Sequence, residues 1–121
     1  MSPQTVVPQL RMTDAARSIA FYVDQLGFVI DWQHQFEPGL PLFLQLTREG
    51  QTIFLSGHAG DCEPGGAVYF WVADADALHA CFVARGVQPL KPIETMPWGV
   101  REFLLVDPDH NKLRFGTELP D

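Results

Sequence analysis

The side chains in this 121-residue sequence that could carry chemistry are four histidines, two cysteines, a Ser-Gly-His step, scattered carboxylates and three tryptophans. His34, His58, His79 and His110 fall on a strand end, a linker, a helix and a turn, and no two have the spacing of metal ligands. Each reads as an exposed or locally hydrogen-bonded imidazole. Ser56-Gly57-His58 suggests a nucleophile beside a base, but neighbouring strand residues point to opposite faces and no GxSxG elbow surrounds the serine. Glu94 and Glu102 form no recognisable acid/base pair. Cys62 and Cys81 make no CxxC, and both are expected to be structural, with Cys81 on the core side of a helix. What remains is recognition by flat rings. Trp32, Phe36, Trp71 and Trp98 can stack on a planar ligand and attract a cation to their faces. Trp98 stands out because Pro97-Trp98-Gly99 is a chain break, where a core tryptophan is unusual.

These residues are positioned by a repeat. A shift of about sixty residues brings Met12-Thr13-Asp14-Ala15 onto Val72-Ala73-Asp74-Ala75, Phe43-Leu44 onto Phe103-Leu104, and Ile53 and Leu55 onto Leu113 and Phe115. In the first half, Val6 to Met12 alternates as a strand. Asp14 caps a helix whose Ala15, Ile19, Tyr22, Val23 and Leu26 recur at helical spacing, and Gly27 stops it. Strands follow at Phe28 to Phe36, Leu40 to Arg48 and Gln51 to Ser56. The second half repeats the plan: a strand at Ala67 to Ala73, a helix from Asp74 to Arg85 stopped by Gly86, then strands at Val87 to Glu94, Val100 to Val106 and Lys112 to Gly116. Asp107-Pro108-Asp109-His110-Asn111 is the last turn.

The expected fold is therefore α+β, tandem βαβββ units (about residues 5–60 and 66–118) forming one domain over residues 1–121 with a cup-shaped mixed sheet. Strand alternation turns Val68, Phe70 and Val72 toward a helix, and Ala67, Tyr69 and Trp71 into the cup. It likewise turns Thr52, Phe54 and Ser56 into the cup, with Val7, Gln9, Phe43 and Gln45 beside them.

The repeat, together with Met12-Thr13-Asp14, Phe21-Tyr22, Leu26-Gly27-Phe28 and the Asp107 to Asn111 turn, resembles the glyoxalase/bleomycin-resistance/dioxygenase (vicinal oxygen chelate) superfamily over nearly the whole chain. Pro97-Trp98-Gly99-Val100-Arg101-Glu102-Phe103, Asp31-Trp32 after Leu26-Gly27-Phe28, and Trp71 at the end of the fifth strand look most like its bleomycin-resistance branch. That resemblance implies a homodimer whose N-terminal strand is exchanged through a proline hinge, here Pro8, with cups formed between subunits. It also locates the metal-ligand positions of the enzymes, which here are Val7, Phe54, Ala67 and Arg114. None of these side chains ligates a divalent cation, so no metal and no other cofactor is expected.

Fifteen acidic against eight basic residues, a formal charge of −7, argue against nucleic acid and favour a cationic small ligand. No apolar run reaches membrane-spanning length and the start carries no signal-peptide pattern, so the expected location is the cytoplasm, away from membranes. The expected role is non-catalytic sequestration of a bleomycin-type antibiotic, planar, aromatic and cationic, conferring resistance. Its expected contacts are Trp98, Trp32, Trp71, Phe36, Asp31, Phe54, Ser56, Tyr69 and Gly99. Two other functions stay open: binding of a different planar natural product in self-resistance, and a metal-dependent lyase or dioxygenase, which the four non-ligand positions contradict.

Overall fold

The structure, a computed structural model, describes residues 4–120. Met1, Ser2 and Pro3, part of the start on which the expectation about export rests, lie outside the described residues. The first half contains β1 (Gln9–Arg11), α1 (Ala15–Ile19), β2 (Val29–His34), β3 (Phe43–Arg48) and β4 (Gln51–Ser56). The second contains β5 (Ala67–Trp71), α2 (Ala75–Ala84), β6 (Glu94–Thr95), β7 (Val100–Val106) and β8 (Lys112–Glu118). Each half makes one four-stranded mixed sheet, ordered β1-β4-β3-β2 and β5-β8-β7-β6. In both, the first strand pairs parallel with the last and the others are antiparallel.

The two helices begin alike. Asp14 and Asp74 hold extended backbones (φ −140° and −148°), and each carboxylate accepts from the amide three residues on, Arg17 N at 3.2 Å and Ala77 N at 3.0 Å. Each cap satisfies an amide that the first turn leaves without a partner. They then differ. The first helix widens to a π-helical stretch at Ala20–Gln25, where Leu26 N bonds Phe21 O at 3.0 Å. The wider turn accompanies full burial of Tyr22, Leu26 and Phe28, whose rings and branches meet the second half through Phe28 and Phe70.

Inward residues of both sheets and both helices share one apolar cluster, including Leu10, Leu44, Leu46, Ile53, Leu55, Phe70, Phe82, Phe103, Leu113 and Phe115. Leu44, Leu46, Ile53 and Leu55 alternate with Phe43, Gln45, Thr52 and Phe54 on the outward side, as expected of half-buried strands. The Asp107 to Asn111 turn is more than a turn. Asp107 is buried and accepts from Tyr22 Oη (2.6 Å), from the amides of Asp109 (2.8 Å) and Asn111 (2.9 Å), and from Asn111 Nδ2 (2.9 Å). Asn111 Nδ2 also donates to Arg11 O at 2.9 Å, and Asp109 accepts from Thr13 N and Oγ1. The turn thus clasps the last strand to the first half, with its buried polar atoms satisfied.

Three expectations are corrected. The strand expected at Val87 to Glu94 is reduced to Glu94–Thr95, because Pro89 and Pro92 lack the amide protons a ladder needs. β1 is three residues long, and β2 and β3 stop short of the Phe36 to Pro41 connection. Cys81 is exposed rather than core-facing: the buried arc of α2 is Ala75, Leu78 and Phe82, and Cys81 lies beyond its edge. Within the single chain β1 pairs with β4, Gln9 opposite Phe54.

Candidate functional site

The outward face of the first sheet is aromatic. Trp32 stacks on Phe43 (centroids 5.8 Å apart, planes 13° apart), and Phe54 packs against both at 6.0 and 5.2 Å. A register shift between Ile30 and Trp32 decides what joins them. Strict alternation would send Asp31 and Trp32 to opposite faces. The bulge instead lets Trp32 oppose Gln45 while Asp31 accepts from Gln45 Nε2 (3.0 Å) and Thr47 Oγ1 (2.5 Å), so a carboxylate and an indole share the face.

At one end this face opens into a cavity of about 480 Å³ lined by Trp32, His34, Phe36, Phe43, His58, Gly60 and Asp61. Phe36 stands edge-on between two imidazoles, 4.4 Å from the His34 ring and 5.7 Å from the His58 ring. Ser56, expected to contact a ligand, is fully buried. Its hydroxyl donates to Asp61 Oδ2 at 2.6 Å and accepts from His58 N at 3.1 Å, so Asp61 lines the cavity in its place. The histidines were missed by the sequence argument because spacing along the chain carries no trace of a linker folding back over a strand end. The signal that existed was parity: His34 lies two residues from Trp32 and opposite Phe43.

The second sheet presents a different outward face. Tyr69 lies beside Trp71, centroids 4.9 Å apart, and crosses β8 to donate to Glu102 Oε1 at 3.2 Å. Gly116 makes that crossing possible, since a Cβ there would collide with the Tyr69 hydroxyl. Arg114 Nε contacts the other Glu102 oxygen at 3.5 Å. Burial, and secondarily the Glu102 carboxylate, raises the Tyr69 phenol from 10.0 to about 12. Trp71 lines a second cavity of about 480 Å³ with Arg48, Asp74 and Cys81 among its walls. Trp98 is 68% exposed in the Met96 to Gly99 turn, where Gly99 holds φ +83° and donates to Met96 O at 3.0 Å.

The nine expected contacts are thus not gathered into one cup within the chain. Trp32, Phe36, Asp31 and Phe54 share the first sheet's outward face; Tyr69 and Trp71 share the second's; Trp98 and Gly99 sit in the turn before β7. The positions that the resemblance assigns to metal ligands hold an isopropyl group (Val7), a phenyl ring (Phe54), a methyl group (Ala67) and a guanidinium already paired with Glu102 (Arg114). This donor set does not fit a divalent cation. Among the described residues no group of three or more His, Cys, Asp or Glu is placed to hold one. No helix among them is long and apolar enough to cross a membrane.

Comparison with known proteins agrees with the fold. A protein from Sphaerobacter thermophilus, described as a member of the glyoxalase/bleomycin resistance protein/dioxygenase superfamily, is 27% identical, with 95% of this chain and 98% of that one covered and a TM-score of 0.73. A bleomycin-binding protein solved in complex with bleomycin is 22% identical over 96% of this chain and 99% of its own, with a TM-score of 0.77. TnmS3, an antibiotic-binding protein from a Streptomyces species, is 21% identical, covers 98% of each chain and also scores 0.77. The sequence profile described as glyoxalase superfamily protein matches residues 1–120, and the chain belongs to that superfamily.

Proposed function

We propose that this protein is a non-catalytic binding protein that sequesters a planar, aromatic, cationic antibiotic of the bleomycin type and so confers resistance. The observation that carries the reading is the outward face of the first sheet, where Trp32, Phe43, Phe36 and the Asp61 carboxylate wall a cavity of about 480 Å³ and Asp31 adds a second carboxylate to the same face, beside Gln45 and Thr47. Flat rings bury contact area there at low entropic cost, and a formal charge of −7 draws a cation toward it. The likeness in fold to a bleomycin-binding protein supports the same reading.

The working form is a two-fold homodimer, one domain per chain. In it, the first sheet's outward face of one protomer meets the second sheet's face of its partner, which gathers Trp32 and Phe36 with Tyr69, Trp71 and Trp98 into two shared cups. Exposed Trp32, Phe36, Tyr69, Trp71 and Trp98 support this, since an isolated chain leaves these apolar rings in water. Exchange of the first strand at Pro8 keeps the register of Gln9 with Phe54 and moves it between chains. The protein acts in the cytoplasm. A second reading, a different planar natural product in the same cup, is favoured by the likeness to TnmS3. Calorimetric titration tests both: saturable binding of bleomycin with no metal added supports the first, and binding of other planar antibiotics with bleomycin inert supports the second. No binding by any of them overturns the function.

A further inference from the structure

His58 is the feature that planar stacking leaves unexplained. It lines the aromatic cavity, yet its Nε2 is buried and has no hydrogen-bond partner among the described residues. A buried imidazole nitrogen without a partner is costly in a finished protein interior, and a native structure tolerates it most readily where a ligand or water completes it. His34 stands in the same cavity, opposite Phe43 in the strand register, and Phe36 is wedged between the two imidazoles. Asp61 is already engaged by the Ser56 hydroxyl, and among the described residues of the wall His58 Nε2 is the buried side-chain polar atom without a partner.

We propose that this cavity selects aromatic ligands bearing a ring hydroxyl, and that His58 is the residue that reads it, with His34 as the second polar contact. The inference rests on the cavity being the planar-ligand site. A neutral imidazole exposes either a donor or an acceptor at Nε2, according to its tautomer, and a hydroxyl satisfies both because it donates and accepts. A ring without that group leaves the nitrogen unpaired on binding, and a site built to pair a polar group discriminates against the analogue that lacks it. Phe36, 68% exposed and beyond the end of β2, is the side chain that yields to admit the ring.

The test uses naphthalene, 1-naphthol and 2-naphthol as probes, titrated by NMR while the Trp32 indole N–H is followed. At least one naphthol is expected to bind about tenfold more tightly than naphthalene. That preference is expected to vanish in His58→Leu and to survive in part in His58→Gln, whose amide reaches the same position. Equal binding of naphthalene and both naphthols, or a preference unchanged in His58→Leu, overturns the role of His58 while the aromatic site stands. Failure of every probe, naphthalene included, to move the Trp32 signal overturns the site and the inference with it.

Discussion

At the scale of single residues, two aromatic side chains separate binding from folding. Trp98 is exposed in a turn, so Trp98→Ala should leave thermal stability within about 0.5 kcal/mol of wild type while weakening a bleomycin-type ligand roughly tenfold to a hundredfold. Trp32 is stacked on Phe43 and against Phe54, and Trp32→Ala should cost both affinity and about 1 kcal/mol of stability. Thermal melts beside calorimetry check the pair, and equal affinity in wild type and Trp98→Ala would assign Trp98 to packing. Gly116 permits a third experiment. Gly116→Ala should push the Tyr69 ring off β8, strip Glu102 of a donor and cost about 1–2 kcal/mol. The protein has two tyrosines, so ultraviolet titration should show one phenol returning from about 12 toward 10.0 in that variant. The aromatic character of the first sheet's outward face was legible from residue types and alternation. The sharing of one face by Asp31 and Trp32 was not argued for, because a bulge is set by local twist and pairing that the residue pattern does not announce.

At the scale of elements, the Asp107 to Asn111 turn governs stability. His110 holds φ +65°, a backbone that glycine adopts freely and other residues do not, and it is exposed. His110→Gly should therefore stabilise by about 0.5–1 kcal/mol, seen as a rise of roughly 2–4 °C in Tm, and a fall in Tm would show that the imidazole makes a contact worth more than the relief. The same turn sets an alkaline limit. Burial, then Asp107, raises the Tyr22 phenol well above 10.0, and Tyr69 is raised to about 12. The unfolded chain releases these protons near 10.0 while the folded chain keeps them. Stability is therefore intact below pH 10.0 and falls as pH climbs from there through 12. Tyr22→Phe should lower stability at neutral pH, since the Asp107 bond is lost, and flatten the alkaline decline by one proton in denaturant titrations. The helices, their caps and most strands were legible because apolar periodicity and Asp or Gly punctuation report local geometry directly. The π stretch and the loss of the strand after Val87 were not, since the first answers to packing across halves and the second to prolines inside an apolar run.

At the scale of the whole molecule, one chain holds two aromatic surfaces on separate outward faces, and in the proposed dimer assembly is what unites them. The expectation that Phe54, Tyr69 and Trp71 lie on the outward faces came from alternation, which tells which side of a strand faces outward but not which other surface that side will meet. The proposed two-fold contact would also cover the exposed rings. Native mass spectrometry after incubation with excess metal-free bleomycin reads assembly, occupancy and chemistry together. The expected species has twice the 13.6 kDa chain mass, carries two drug molecules and no divalent metal, and releases the drug with its mass unchanged on denaturation. A bare monomer under the same conditions, or drug released with an altered mass, contradicts sequestration by a shared, non-catalytic cup.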